Sequence, residues 1–268
     1  MDILKEIIEH KKREVAERKS LYPTKLLEKS IYFGSRTVSL KRYVQRDDKS
    51  GIIAEFKRQS PSKGIINAHA SVERTSIGYM QAGASALSIL TDSKYFGGKN
   101  EDLTKARKFN FCPILRKDFT VDEYQIVEAK SIGADAVLLI AAALKPVELH
   151  KLAEFAKSLG LETLMEVHTK EELERSINPN IDGVGVNNRN LKTFEVSVDI
   201  SLNLAEHIPS EFVKISESGI RNPETVLTLK KAGYQGFLMG ERFMQSARPQ
   251  KSCAEFAERL KELNGRHA

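Results

Sequence analysis

Five short apolar runs end in residues that a purely structural strand would not carry. Glu55 and Lys57 close the run IIAEF, Lys117 follows PILR, and Glu166 sits in TLMEV. Asn187 and Arg189 close GVGVN, and Glu217 and Ser218 follow FVKIS. Ammonium and carboxylate groups held close together can donate, accept and hold protons, which is the equipment of general acid–base catalysis on an anion. One charged strand end is ordinarily a loop-edge salt bridge. Five converging ends read as a site, because buried charges are costly without a reason to be there. Phosphate handling has its own signature in Ser218-Gly219-Ile220 and Gly240-Glu241, where glycine lets backbone N–H groups approach an anion. The six histidines form neither H-x-H nor H-E-x-x-H, and the carboxylates alternate with lysines, so neither a metal nor another cofactor is expected. Ser60 and Ser62 lack a Ser-His-Asp setting, His168 reads as packing, and Cys112 reads as structural.

For these residues to meet, the elements carrying them must point one way. After residue 50 the chain alternates about eight apolar runs, at 52–56, 86–90, 113–116, 136–142, 163–167, 183–187, 212–216 and 236–240, with longer amphipathic stretches. Each interval fits one helix and two loops, which implies a parallel sheet covered by helices. AGASALSIL, IGADAVLLI and AGYQGFLMG repeat one design, a helix ending at glycine and a buried strand starting three residues later. Repeated units of one size predict a closed (β/α)8 barrel, with working residues at the C-terminal strand ends and phosphate held after strands seven and eight. No G-x-G-x-x-G follows the first strand, which disfavours a dinucleotide fold. Residues 1–48 read as a helical extension covering one barrel mouth. The expectation is one domain over 1–268, with the barrel at 49–268.

Composition narrows the classes further. The chain has 268 residues, 41% of them hydrophobic, with no apolar run near the length of a membrane span and no signal-peptide core at its start. Two cysteines without metal or redox spacing suit a reducing compartment, so the cytoplasm is the expected location. Of the net +6, five charges fall in residues 1–50, where 13 basic residues face 8 acidic ones. There Glu9 with Arg13 and Glu14 with Arg18 stand at i,i+4 spacing, so the stretch reads as a solvated helix face rather than a nucleic-acid footprint. A small phosphorylated molecule is the expected partner; no nucleic acid, membrane or obligate protein partner is expected.

Seven motifs in order, IAEFKRQSPSKG (53–64), TDSKYFGG (91–98), LRKDF (115–119), LMEV (164–167), GVNNRNL (185–191), ISESGI (215–220) and LMGE (238–241), together resemble the indole-3-glycerol phosphate synthase family. Asn190 and Tyr95 depart from residues common in that family. The resemblance implies a decarboxylating, dehydrating ring closure of 1-(2-carboxyphenylamino)-1-deoxyribulose 5-phosphate in tryptophan biosynthesis, without a cofactor. It implies Lys117 as general acid for ring closure, Glu166 for dehydration, and Glu55 holding Lys57, which binds the anionic substrate or acts as a second acid. Asn187, Glu217 and Ser218 would orient the substrate, and Ser60, Pro61 and Arg189 would meet its anthranilate end, with Phe119 stacked on the ring. Backbone groups of Ser218, Gly219, Gly240 and Glu241 would hold the phosphate. Lys117 stands alone on its strand, which suggests a freer cation than Lys57. Two alternatives remain at this stage: another phosphate-binding barrel such as phosphoribosylanthranilate isomerase, and a non-catalytic small-anion binding barrel. The first would call for a Cys/Asp acid–base pair where Glu55 and Lys57 stand.

Overall fold

A computed structural model describes residues 3–265; the outermost limits of the expected domain, 1–2 and 266–268, lie outside them. Eight parallel strands close into a barrel: β1 (Ile52–Phe56), β2 (Ala86–Leu90), β3 (Ile114–Lys117), β4 (Ala136–Ile140), β5 (Glu162–Val167), β6 (Gly183–Asn187), β7 (Val213–Glu217) and β8 (Gly236–Met239). Each pairs with the next, and β8 returns to β1 with Ile53 opposite Leu238. The repeated αβ turn is present as expected. Gly83, Gly133 and Gly233 have φ of 87°, 94° and 93°, a region in which a Cβ would clash. A short hairpin, Gln59–Ser60 with Gly64–Ile65, stands in the loop after β1, where no strand was expected.

Strand alternation explains how apolar runs deliver charged ends to one place. Ile52, Ala54 and Phe56 belong to the layer between strands and helices, whereas Ile53 joins Leu115, Leu138, Leu164, Ile215 and Leu238 inside the barrel. Side chains two apart share a face, so Glu55 stands above Ile53, Lys117 above Leu115, Glu166 above Leu164, and Glu217 above Ile215. The apolar interior is a floor, and the charged residues are the layer above it.

The N-terminal extension does not cover one mouth; it serves both ends. Its first helix, Ile3–Leu21, lies at the charged mouth, while Leu40 and Val44 of the helix Leu40–Val44 plug the opposite end against the barrel interior. Between them the chain descends along the helix Glu123–Ile132. Arg18 donates to Glu128 at 2.7 Å, Lys130 to the Ser35 carbonyl at 2.9 Å, and the Val38 N–H to Asp135 at 2.8 Å. The expected Glu14–Arg18 pair is therefore replaced: Arg18 takes Glu128, and Glu14 takes Lys11 at 2.8 Å. Periodicity within one helix cannot reveal a partner 110 residues away.

Nor is that helix face wholly solvated. Lys11 is 1% exposed, and its ammonium lies 2.9 Å from Asp92 and 3.0 Å from Asp118. Burial opposes its charge, but the three carboxylates outweigh that and raise its pKa well above the usual lysine range. Asp118 follows Lys117 directly, so this contact fastens the extension to the strand end carrying the central lysine. Lys11→Met would take the ammonium from buried Asp92 and leave buried Asp118 with Arg116 alone, at 3.5 Å. It is expected to lower the unfolding free energy in urea by about 3–5 kcal/mol. A loss below about 1 kcal/mol, the range of exposed pairs, would show that the contact does not fasten the helix.

Candidate active site

At the charged mouth is a cavity of about 490 Å³, and all fourteen residues expected at the site line it. Glu55, Lys57, Lys117, Glu166, Asn187 and Glu217 come from the strand ends, and Ser60, Pro61 and Phe119 from the loops after β1 and β3. Arg189, Ser218, Gly219, Gly240 and Glu241 complete the rim. Sequence reading missed the apolar side of this cavity. Ile3, Leu4 and Ile7 of the N-terminal helix and Phe96 face it, with the Phe96 and Phe119 rings 5.8 Å apart. The signal was available in Ile3, Leu4 and Ile7, which share one helical face.

Lys117 holds the centre. Its ammonium is 2.8 Å from Glu166 Oε2 and 2.7 Å from Glu217 Oε2, with both carboxyl groups buried. The expectation of a lone, freer lysine is thus overturned. Its partners arrive from β5 and β7 across the barrel, and no reading of β3 alone contains them. Burial opposes the Lys117 charge, but Glu166, Glu217 and Glu55 outweigh it and hold the ammonium far above the usual lysine value. Among the described residues, Lys57 has one ion pair, 2.7 Å to Glu55 Oε1.

The two carboxylates on Lys117 differ in what else they touch. Glu166 Oε1 accepts from Asn187 Nδ2 at 3.1 Å, and His168 Nε2 stands 3.8 Å away. Burial would raise its carboxyl, but Lys117 and His168 override that and hold it down at about 2. Glu217 Oε1 is buried without a hydrogen-bond partner. Burial, with the Glu166 and Glu55 charges, pushes Glu217 up to about 7 despite Lys117. One buried cation cannot keep two carboxylates ionised equally well, so the pair titrates as a unit.

Around the rim, Ser218 has φ of 68°, a left-handed conformation seldom taken by a residue with a Cβ, and Gly219 follows at 76°. Strain of this kind persists where surrounding structure enforces it. Gly240 has a second use that its sequence did not suggest. A Cβ there would lie 2.5 Å from Glu55 Oε1, so the glycine makes room for the carboxylate that holds Lys57. Arg189 pairs with Glu241 at 3.0 Å, and Lys63 approaches the same carboxylate at 3.8 Å. A loop cation after β6 is thereby joined to the β8 end.

The chain carrying this mouth has relatives among known proteins. The family model described as indole-3-glycerol phosphate synthase matches residues 4–256. A protein of that name from Bacteroides thetaiotaomicron is 50% identical over 259 residues, covering 97% of this chain and 99% of its own length. The chain belongs to the indole-3-glycerol phosphate synthase family. A member from Caldanaerobacter subterraneus is 42% identical over 91% of this chain and 93% of its own. More distant likenesses concern the fold alone. A thiamine phosphate pyrophosphorylase from Pyrococcus furiosus superposes with a TM-score of 0.59 at 14% identity, covering 84% of this chain and 99% of that one. A chain of the tryptophan synthase complex from a hyperthermophile, Pyrococcus furiosus, gives 0.58 at 16% identity, covering 80% and 99%.

Proposed function

We propose that the Lys117–Glu166–Glu217 cluster performs the acid–base steps of the family reaction. That reaction closes 1-(2-carboxyphenylamino)-1-deoxyribulose 5-phosphate to indole-3-glycerol phosphate with loss of CO2 and water, a carboxy-lyase step of tryptophan biosynthesis. The observation that carries the reading is one ammonium held between two buried carboxylates at 2.8 and 2.7 Å.

Attack of the carboxylate-bearing arene carbon on the ketone forms a carbon–carbon bond and places negative charge on oxygen. Lys117 donates a proton there, and an alkoxide is basic enough to take it even from an ammonium stabilised by Glu166 and Glu217. The arene–carboxylate bond then breaks, releasing CO2. Once Lys117 has given up its charge, the main influence lowering Glu166's proton affinity is gone, so Glu166 becomes a better base at the moment one is needed. It accepts a proton from the ring carbon beside nitrogen as the hydroxyl leaves, protonated, as water, which forms the indole double bond. Lys57, tied to Glu55, offsets substrate charge or supplies that second proton. Asn187 and Ser218 orient the substrate hydroxyls and carbonyl. The Ser60–Pro61 loop, Phe119 and Arg189 meet the anthranilate end. Backbone groups of Ser218, Gly219, Gly240 and Glu241 hold the phosphate, as glycine-lined turns do. The reading includes a one-domain, cytoplasmic enzyme whose partner is this small molecule rather than nucleic acid, membrane or another protein.

Turnover of the carboxyphenylamino substrate, followed by indole fluorescence, tests the reaction directly; absence of turnover by the purified chain would overturn it. The phosphate assignment has its own test. A Cβ at Gly219 would meet Val196 Cγ1 at 2.6 Å with φ at 76°, so valine displaces the loop. Gly219→Val is expected to raise KM roughly ten- to hundredfold, the equivalent of about 1–3 kcal/mol of strain shifted onto binding. An unchanged KM would put the phosphate elsewhere.

A further inference from the structure

Two carboxylates reach Lys117 at nearly equal distances, 2.8 and 2.7 Å, so contact with the lysine does not decide which of them is the base. Something beside them must break the symmetry. Asn187 donates to Glu166 and so favours its ionised form, but an amide dipole is weaker than a charge. Among the described residues, the other polar side chain near Glu166 Oε1 is His168, two residues along the same strand face.

His168 is placed oddly for a packing residue. Both ring nitrogens are buried and neither makes a hydrogen bond. The imidazole instead lies between two carboxylates, with Nε2 3.8 Å from Glu166 and Nδ1 3.5 Å from Glu172. Glu172 is fixed in turn, accepting from the His168 backbone N–H at 2.7 Å. A neutral imidazole here would turn one N–H to a carboxylate and leave its other nitrogen, a lone pair, buried against the second anion; an imidazolium presents an N–H to each.

We propose that His168 is a positioning residue which, as an imidazolium between Glu166 and Glu172, keeps Glu166 ionised and leaves the shared proton of the cluster on Glu217. His168 touches no substrate in this assignment; it acts through Glu166. The inference rests on Glu166 being the base, and therefore on the function proposed above. Every charged group facing the imidazole has a sign in this scheme. Glu166 on β5, Glu172 on the helix Lys170–Ser176 and, farther off, Glu217 on β7 favour its protonation. Lys117 on β3, beyond Glu166, and Arg175, whose charge bears on Glu172, oppose it. Burial also opposes protonation, yet the carboxylates prevail and the imidazole is raised above its ordinary value.

The test is the pH dependence of kcat and kcat/KM, which simple loss of packing would not move. Protonation of Glu166 ends activity on the acidic side. In His168→Gln the neighbouring charge is gone, Glu166 takes its proton more readily, and the acidic limb should rise by about one pH unit or more. Glu172→Gln keeps an oxygen acceptor for the His168 backbone but removes one of the anions that keep the ring charged; it should move the limb the same way by less. Should His168→Gln fail to fold, Glu172→Gln decides alone. Profiles that superimpose on the wild type, even with a lower kcat, would overturn the role of His168 while leaving the ring-closure reaction intact. Wild-type protein without turnover is the separate outcome that removes the function itself.

Discussion

Lys117→Met lowers kcat by about 10²–10⁴-fold, the usual worth of a positioned general acid, with little change in KM. The methionine fills the same space but cannot give a proton to the alkoxide formed at ring closure. A kcat loss without a KM change marks an interaction made in the transition state rather than in binding. Lys57→Met is the control. Lys57 contacts one carboxylate at the cavity wall rather than two at its centre, so its loss should raise KM more than it lowers kcat. Tethering cannot be the reason for this division, because Lys117 is held by more carboxylates than Lys57. Position and the coupling to Glu166 are the reason. Equal kcat losses in the two variants at saturating substrate would make Lys57 a second proton donor and cancel the division.

The barrel was legible because its signals are local and repeated. Apolar runs, glycine-ended helices and charged strand ends recur along the chain, and alternation alone carries Glu55, Lys117, Glu166 and Glu217 to one side of the apolar floor. What was hidden depends on distances across the ring. Lys117 looked isolated because Glu166 and Glu217 are 49 and 100 residues away along the chain. Lys11 looked like one more surface lysine because Asp92 and Asp118 meet it only after the barrel closes. The extension looked like a single cover because its helices carry no mark of which barrel end each will reach. Its descent is written in partners on the helix Glu123–Ile132, not in its own pattern. Gly240 looked like a phosphate contact, and the Glu55 carboxylate packed against it appears only in three dimensions.

Glu166→Gln should prove as damaging as the loss of Lys117, lowering kcat by about 10²–10⁴-fold. The amide has the shape of the acid and can still accept from Lys117, so binding and architecture should survive, but it cannot carry away the ring proton lost in the dehydration. Its effect on stability has a definite sign. Glu217 is pushed up to about 7, partly by the Glu166 charge, so it favours the folded state fully below the ordinary glutamate value near 4.5. That contribution is lost as pH rises through about 7. His168, also raised, acts in the same direction, since its contribution is present below 6.5 and lost as pH rises through its higher folded value. Removing Glu166 relieves Glu217 of a neighbouring anion, leaves Lys117 to it alone, and deprives His168 of one partner. Both raised values fall, so the decline of Tm between about pH 5 and about pH 8 should be shallower in Glu166→Gln than in wild type. Glu166 itself contributes with the opposite sign. Held down at about 2, it stabilises above its ordinary value and loses that contribution only as pH falls toward 2, outside the window measured. A kcat reduced less than about tenfold would remove Glu166 from the proton path. A Tm profile as steep as wild type would show that Glu166 does not set the charge state of Glu217.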